Sequence, residues 1–112
     1  MKYEHRERGT VDIISVVGRI DTASAAVARE TFKARLDAGQ KRFLVDLSEI
    51  SHVDSTGLSF LVNLLKTARA QSGDVALLNP SEAVIDLLEL VKLHQLFDIY
   101  SDEQLALNRM EV

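Results

Sequence analysis

Ser55 stands in the run Val53-Asp54-Ser55-Thr56-Gly57-Leu58, two hydroxyls held between an acid and a glycine. Asp and Ser are strong helix N-cap types, because a short side-chain oxygen can accept from the free amides of a first turn. A serine at that position faces the positive end of a helix dipole, where an added phosphate is tolerated. Spacing alone leaves Ser55 two roles, a simple cap or a phosphate acceptor. Thr56 offers a second hydroxyl in the same turn, and its plainer role is to start the helix. Asp54 can cap the helix, or it can orient the acceptor hydroxyl or a metal. His52 lies close enough in sequence to invite a serine–base pairing. Catalysis would also need an oriented base and an oxyanion site, which no other residues supply. Gly57 costs roughly 1 kcal/mol against alanine inside a helix. Either the close approach of a partner or tight packing on a sheet must offset that cost.

The elements around this run must present it. Residues 42–47 are apolar and β-favouring, which predicts a buried strand. Residues 58–71 carry Leu58, Leu61, Val62, Leu65 and Ala68 at helical spacing. The motif therefore sits at a strand-to-helix turn. Phe60 falls nearly opposite the stripe set by Leu58, Leu61 and Leu65, while Leu64 flanks it. An exposed aromatic beside the serine would be a partner contact; the alternative is burial under the third or the terminal helix.

The rest of the chain reads as further alternation. Residues 2–8 predict a charged edge strand with Tyr3 and His5 on one side, turned at Gly9-Thr10. Residues 11–17 predict a strand closed by Gly18. Asp21-Thr22 caps a helix with Ala25, Ala28, Phe32 and Leu36 on one face, stopped at Ala38-Gly39. Residues 75–78 form a short buried strand. Asn79-Pro80 opens a third helix with proline in its first turn and a buried stripe of Val84, Leu87, Leu88 and Val91. Residues 93–96 turn the chain into a last strand over 97–100, and Ser101-Asp102 caps a terminal helix through Leu105 and Leu107. The order β-β-α-β-α-β-α-β-α implies an α/β sandwich with a mostly parallel sheet of about five strands and helices packed on it. Such folds concentrate function at the C-terminal ends of their strands. Two loops stand there, residues 18–22 and 52–57.

Composition narrows the function classes. A chain of 112 residues, 46% hydrophobic and 27% charged, supports one folded domain over 1–112. Its net charge of -4 gives no footing for direct nucleic-acid binding. No apolar run approaches the ~20 residues that cross a bilayer, so no membrane insertion is expected. Residues 1–8 are too charged for a signal peptide, and a cytoplasmic protein is the plain expectation. The absence of cysteine excludes disulfides, thiolate zinc sites and cysteine nucleophiles. His5, His52 and His94 show no metal spacing. Neither metal nor cofactor is expected.

Four stretches in order carry a family pattern: Gly18-Arg19-Ile20-Asp21, Val45-Asp46-Leu47-Ser48, Val53-Asp54-Ser55-Thr56-Gly57-Leu58 and Leu96-Phe97-Asp98-Ile99-Tyr100. Together they resemble the STAS domain of bacterial anti-sigma factor antagonists, over nearly the whole chain. The resemblance implies a non-catalytic interaction module, a monomer when free. In its unphosphorylated form it binds an anti-sigma factor that is also a serine kinase, and the sigma factor is released. Phosphorylation at Ser55 would switch binding off, and a serine phosphatase would restore it. The implied contact set is Asp21, Asp54, Ser55, Thr56 and Gly57, with Phe60 added from its helical position. The resemblance also admits a STAS subunit of a lipid-transport or stress-signalling assembly.

Overall fold

A computed structural model describes residues 2–110. The strands are β1 (Lys2–Arg8), β2 (Val11–Ile20), β3 (Arg42–Val53), β4 (Asp74–Leu78) and β5 (Asp98–Tyr100). The helices are α1 (Thr22–Asp37), α2 (Ser55–Ala70), α3 (Glu82–Leu90) and α4 (Glu103–Met110), with a short 3-10 turn at Leu93–Gln95. The element order and the mostly parallel sheet agree with the sequence reading. The five strands lie side by side in chain order; β1 runs antiparallel to β2, and β2 to β5 run parallel.

That topology dictates where the helices go. Each parallel step moves to the next strand in the same direction, and right-handed crossovers then place every connecting helix on one face. Accordingly α1, α2 and α3 share one core with Ile14, Val16, Phe43, Val45, Leu77 and their neighbours. Only α4, which follows the last strand, can reach the opposite face, where Ala106, Leu107 and Met110 cover Val11, Ile13, Leu44, Ala76 and Leu78.

Two strands run past their expected ends. Gly18 does not close β2, which continues to Ile20, and β3 continues from Leu47 to Val53. The pairing shifts between Ser15 and Val17 and again between Gly18 and Arg19. Such bulges change which face a residue meets, and late in β3 only Leu47, Ile50 and Val53 are buried. A two-residue alternation is absent there, so the polar 48–52 segment reads as loop. Beyond β4, which ends opposite Asp46, these strands form a two-stranded ribbon that carries both candidate loops outward.

The third helix also differs. Its N-cap is Ser81, whose hydroxyl accepts from the Val84 amide at 3.3 Å, so Pro80 precedes the helix and is not in its first turn. Val91 caps the C-terminus and is exposed, contrary to its predicted place in the buried stripe. Asp102 caps α4 as expected, accepting from the Leu105 amide at 3.0 Å. The predicted position of the Tyr3 side chain lies outside the described residues.

Candidate functional site

Asp54 is the N-cap of α2: its Oδ1 accepts from the Gly57 amide at 2.9 Å, and its carbonyl accepts from Leu58. Its own amide donates to the Ile20 carbonyl at 3.1 Å, which ties the turn to the end of β2. Ser55 is then the first helical residue and is exposed. Among the described residues its hydroxyl has no bonding partner. Thr56, half-buried, differs: its hydroxyl shares a 3.2 Å hydrogen bond with that of Thr22 at the start of α1. The two hydroxyls of the motif are thus unequal, one committed and one available.

Gly57 is explained from within the chain. A Cβ there would lie 2.5 Å from the Ile20 carbonyl oxygen and 3.0 Å from Val53 Cγ1. Close packing of α2 on the β2 terminus, one of the two alternatives, accounts for the glycine.

Asp21 occupies the parallel position on α1. It accepts from the Ser24 amide at 3.1 Å, while its own amide donates to Ser24 Oγ at 2.8 Å, a reciprocal capping box. These bonds from the Ser24 amide and hydroxyl hold its carboxyl below the usual range, with a smaller contribution from Arg19. The single Ser24 hydroxyl proton is shared between the Asp21 carboxylate at 3.1 Å and the Arg19 carbonyl at 2.8 Å, fixing the loop that enters the helix. Two capped helix N-termini therefore stand side by side at the end of the ribbon, bridged by the Thr22–Thr56 contact.

Phe60 is not part of this surface. It is 5% exposed, and its ring packs at 5.6 Å from that of Phe32 on α1. The stripe of α2 is centred on Gly57, Phe60, Leu61, Leu64, Leu65 and Ala68, all buried, while Leu58 and Val62 are its half-buried margin. Because the glycine carries no apolar side chain, the sequence stripe is displaced toward Leu58 and turns Phe60 outward. Its cover is α1, neither of the helices expected.

What flanks Ser55 instead is a groove of about 330 Å³ along Leu58, Ser59 and Val62 of α2, closed on the far side by Val91 and Leu93. Leu90, at 79% exposure, and Leu96 are further exposed apolar residues of the 90–96 segment. Sequence reasoning missed Val91 as part of the groove because it continues the apolar pattern of α3 one residue past the helix's end at Leu90. It also missed Thr22, whose link to Thr56 depends wholly on tertiary structure.

His52 lies exposed on the ribbon, in register with Arg19, and no described contact links it to Ser55. His5, Glu7 and Asp12 do converge, their ligand-type atoms within 4.8 Å of one another. Asp12 is fully buried, with Arg35 Nε at 2.9 Å and His5 Nε2 at 3.1 Å, and Arg35 also reaches Glu7 at 2.8 Å. The Arg35 guanidinium bridges both carboxylates there, and the network fastens β1 and α1 to β2. No helix among the described residues is long and apolar enough to cross a membrane.

Comparison with known proteins agrees with this geometry. The anti-sigma-B factor antagonist of Bacillus subtilis is 34% identical over 86 residues, covering 77% of this chain and 78% of its own. The crystal structure of a candidate anti-sigma factor antagonist from Thermotoga maritima superposes with a TM-score of 0.91 at 25% identity, covering 96% of this chain and 93% of that one. The anti-sigma factor antagonist SpoIIAA in its unphosphorylated form shares the fold, with a TM-score of 0.84 at 19% identity over 96% and 95% of the two chains. The STAS domain family model matches residues 2–106, and the chain belongs to that family.

Proposed function

We propose that this protein is a cytoplasmic anti-sigma factor antagonist, a binding protein and not a catalyst, whose binding is switched by phosphorylation of Ser55. The unphosphorylated form binds an anti-sigma factor with serine-kinase activity and displaces the sigma factor; a phosphatase resets it. The observation that carries the reading is the exposed, uncommitted Ser55 hydroxyl at the first position of α2, beside a committed Thr56. The name of the Bacillus subtilis relative supports the partner class.

The partner surface centres on Asp21, Asp54 and Ser55 and extends into the groove of Leu58, Ser59, Val62, Val91 and Leu93. Thr56 and Gly57 contribute by holding the turn in place. An apolar rim beside a polar capped turn suits a protein interface, where buried anchors supply most of the affinity. Phosphate adds about -1.5 to -2 charge at neutral pH. Next to Asp54, that charge must be desolvated against a like charge when the partner docks, which weakens the complex.

The test pairs the protein with its cognate anti-sigma factor. Mass spectrometry after incubation with ATP should find one phosphate, on Ser55. By calorimetry Ser55→Ala should bind like wild type, and Ser55→Glu at least tenfold more weakly, about 1.4 kcal/mol. Equal affinity for wild type and Ser55→Glu, or phosphate on Thr56, would overturn the switch.

A further inference from the structure

We propose that the groove between α1 and α2 is a ligand site for a small anionic amphiphile, a carboxylate on a single alkyl chain. The groove encloses about 340 Å³, within the range of about 300–1,000 Å³ typical of small-molecule sites. Its floor is apolar, formed by Phe32 and Leu36 of α1 with Phe60 and Leu64 of α2. Arg29 and Lys33 stand on the α1 rim. The α2 rim offers only Asn63 and Thr67, and Thr67 spends its hydroxyl proton on the Asn63 carbonyl at 2.9 Å.

Charge distinguishes this groove from the rest of the surface. The chain carries 17 acidic and 13 basic residues, yet two cations and no acid line the groove among the described residues. Arg29 forms no ion pair among the described residues. Lys33 pairs with Asp37 at 2.9 Å, but both ends are well exposed, and exposed pairs of this kind contribute little and exchange readily. A carboxylate at the mouth would meet two cations, and a guanidinium can grip it with two parallel hydrogen bonds.

Behind the Phe32–Phe60 pair lies an apolar void of about 10 Å³, walled by Val16, Ala28, Val45 and Leu61. Phe32 and Phe60 line both the void and the groove. From Arg29 to Leu36 the helix rises about 10 Å, the reach of an extended alkyl chain of about eight to ten carbons. This site is independent of phosphorylation at Ser55.

Octanoate titrated into the 112-residue chain and followed by two-dimensional amide NMR tests the assignment. Saturable shifts confined to α1 and α2 around Arg29, Phe32, Phe60 and Leu64 are expected. Octan-1-ol should bind wild type at least tenfold more weakly, and so should octanoate to the Arg29→Glu/Lys33→Glu variant, whose exposed substitutions should leave the melting temperature near wild type. Three results would each overturn the site: octan-1-ol binding as well as octanoate, shifts mapping elsewhere or across the whole surface, or no saturation up to about 10 mM.

Discussion

Replacing Phe60 by alanine discriminates between a surface aromatic and a core one. The ring is 5% exposed and touches Phe32 at 5.6 Å between centroids. Withdrawing a buried phenylalanine side chain from an apolar site costs about 1.5–3 kcal/mol in transfer free energy. Space that does not collapse adds about 24 cal/mol per Å³, so about 50–80 Å³ left open adds about 1–2 kcal/mol. Loss of the tilted ring pair adds about 0.5–1.5 kcal/mol. Because the groove above the ring admits water to part of the new space, the lower half of the combined range applies, about 3–5 kcal/mol. A domain of this size has about 5–15 kcal/mol in total, so the variant should fold but be markedly weakened. Urea titrations of wild type, Phe60→Ala and Leu61→Ala should give comparable losses for the two variants at similar m-values. A loss below about 0.5 kcal/mol for Phe60→Ala, the size usual for a surface change, would refute the packing argument.

Three other perturbations follow from the same geometry. Gly57→Ala removes a helix-propensity penalty of about 1 kcal/mol but drives a Cβ to 2.5 Å from a backbone oxygen; thermal melts should show a net loss of about 1–3 kcal/mol, and a gain would refute the close approach. Arg35→Met leaves the fully buried Asp12 without its guanidinium, a loss of about 3 kcal/mol by denaturant titration, while Asp12→Asn in the same chain should restore part of it. Asp21 titrates with a lowered value in the folded state, so the stability it contributes is present above the ordinary carboxylate range and is lost as pH falls through its lowered folded value. Melting temperatures measured across the acid limb should fall less steeply for Asp21→Asn, a cap that does not titrate; identical limbs would remove Asp21 from the acid response.

Legibility in the sequence tracked how local each determinant is. The caps at Asp21, Asp54 and Asp102 depend on residues within one turn and were readable from type and position. The alternation of strand and helix, with right-handed crossovers, then implied the parallel sheet. Where two elements share a determinant, the reading failed. Gly57 belongs to the buried stripe of α2, but its identity is set by the Ile20 carbonyl of a distant strand. Leaving it out of the stripe rotated the perceived core face and turned Phe60 away from it. The ends of β2 and β3 were hidden for a similar reason, since bulges break the two-residue period that marks a half-buried strand. Asp12 drew no attention because a lone acid in an apolar strand gains its meaning only from Arg35 and His5, which other elements bring to it.

The turn around Ser55 is fixed entirely by residues other than Ser55. Asp54 holds the Gly57 amide, its own amide is held by Ile20, Gly57 is seated against Ile20 and Val53, and Thr56 is bridged to Thr22. A charge placed on the Ser55 hydroxyl, the modification proposed above, therefore displaces no internal hydrogen bond. It meets a helix N-terminus, where a negative group is favoured by about 0.3–1 kcal/mol at exposed sites. Such a change alters the surface offered to a partner while leaving the supporting fold in place. The fold would then transmit nothing, and the switch would act by direct electrostatic and steric exclusion. Amide shifts of wild type and Ser55→Glu should accordingly differ only across residues 52–59 and the adjoining start of α1. Shifts spreading into β4 and α4 would point to a conformational switch and contradict direct exclusion.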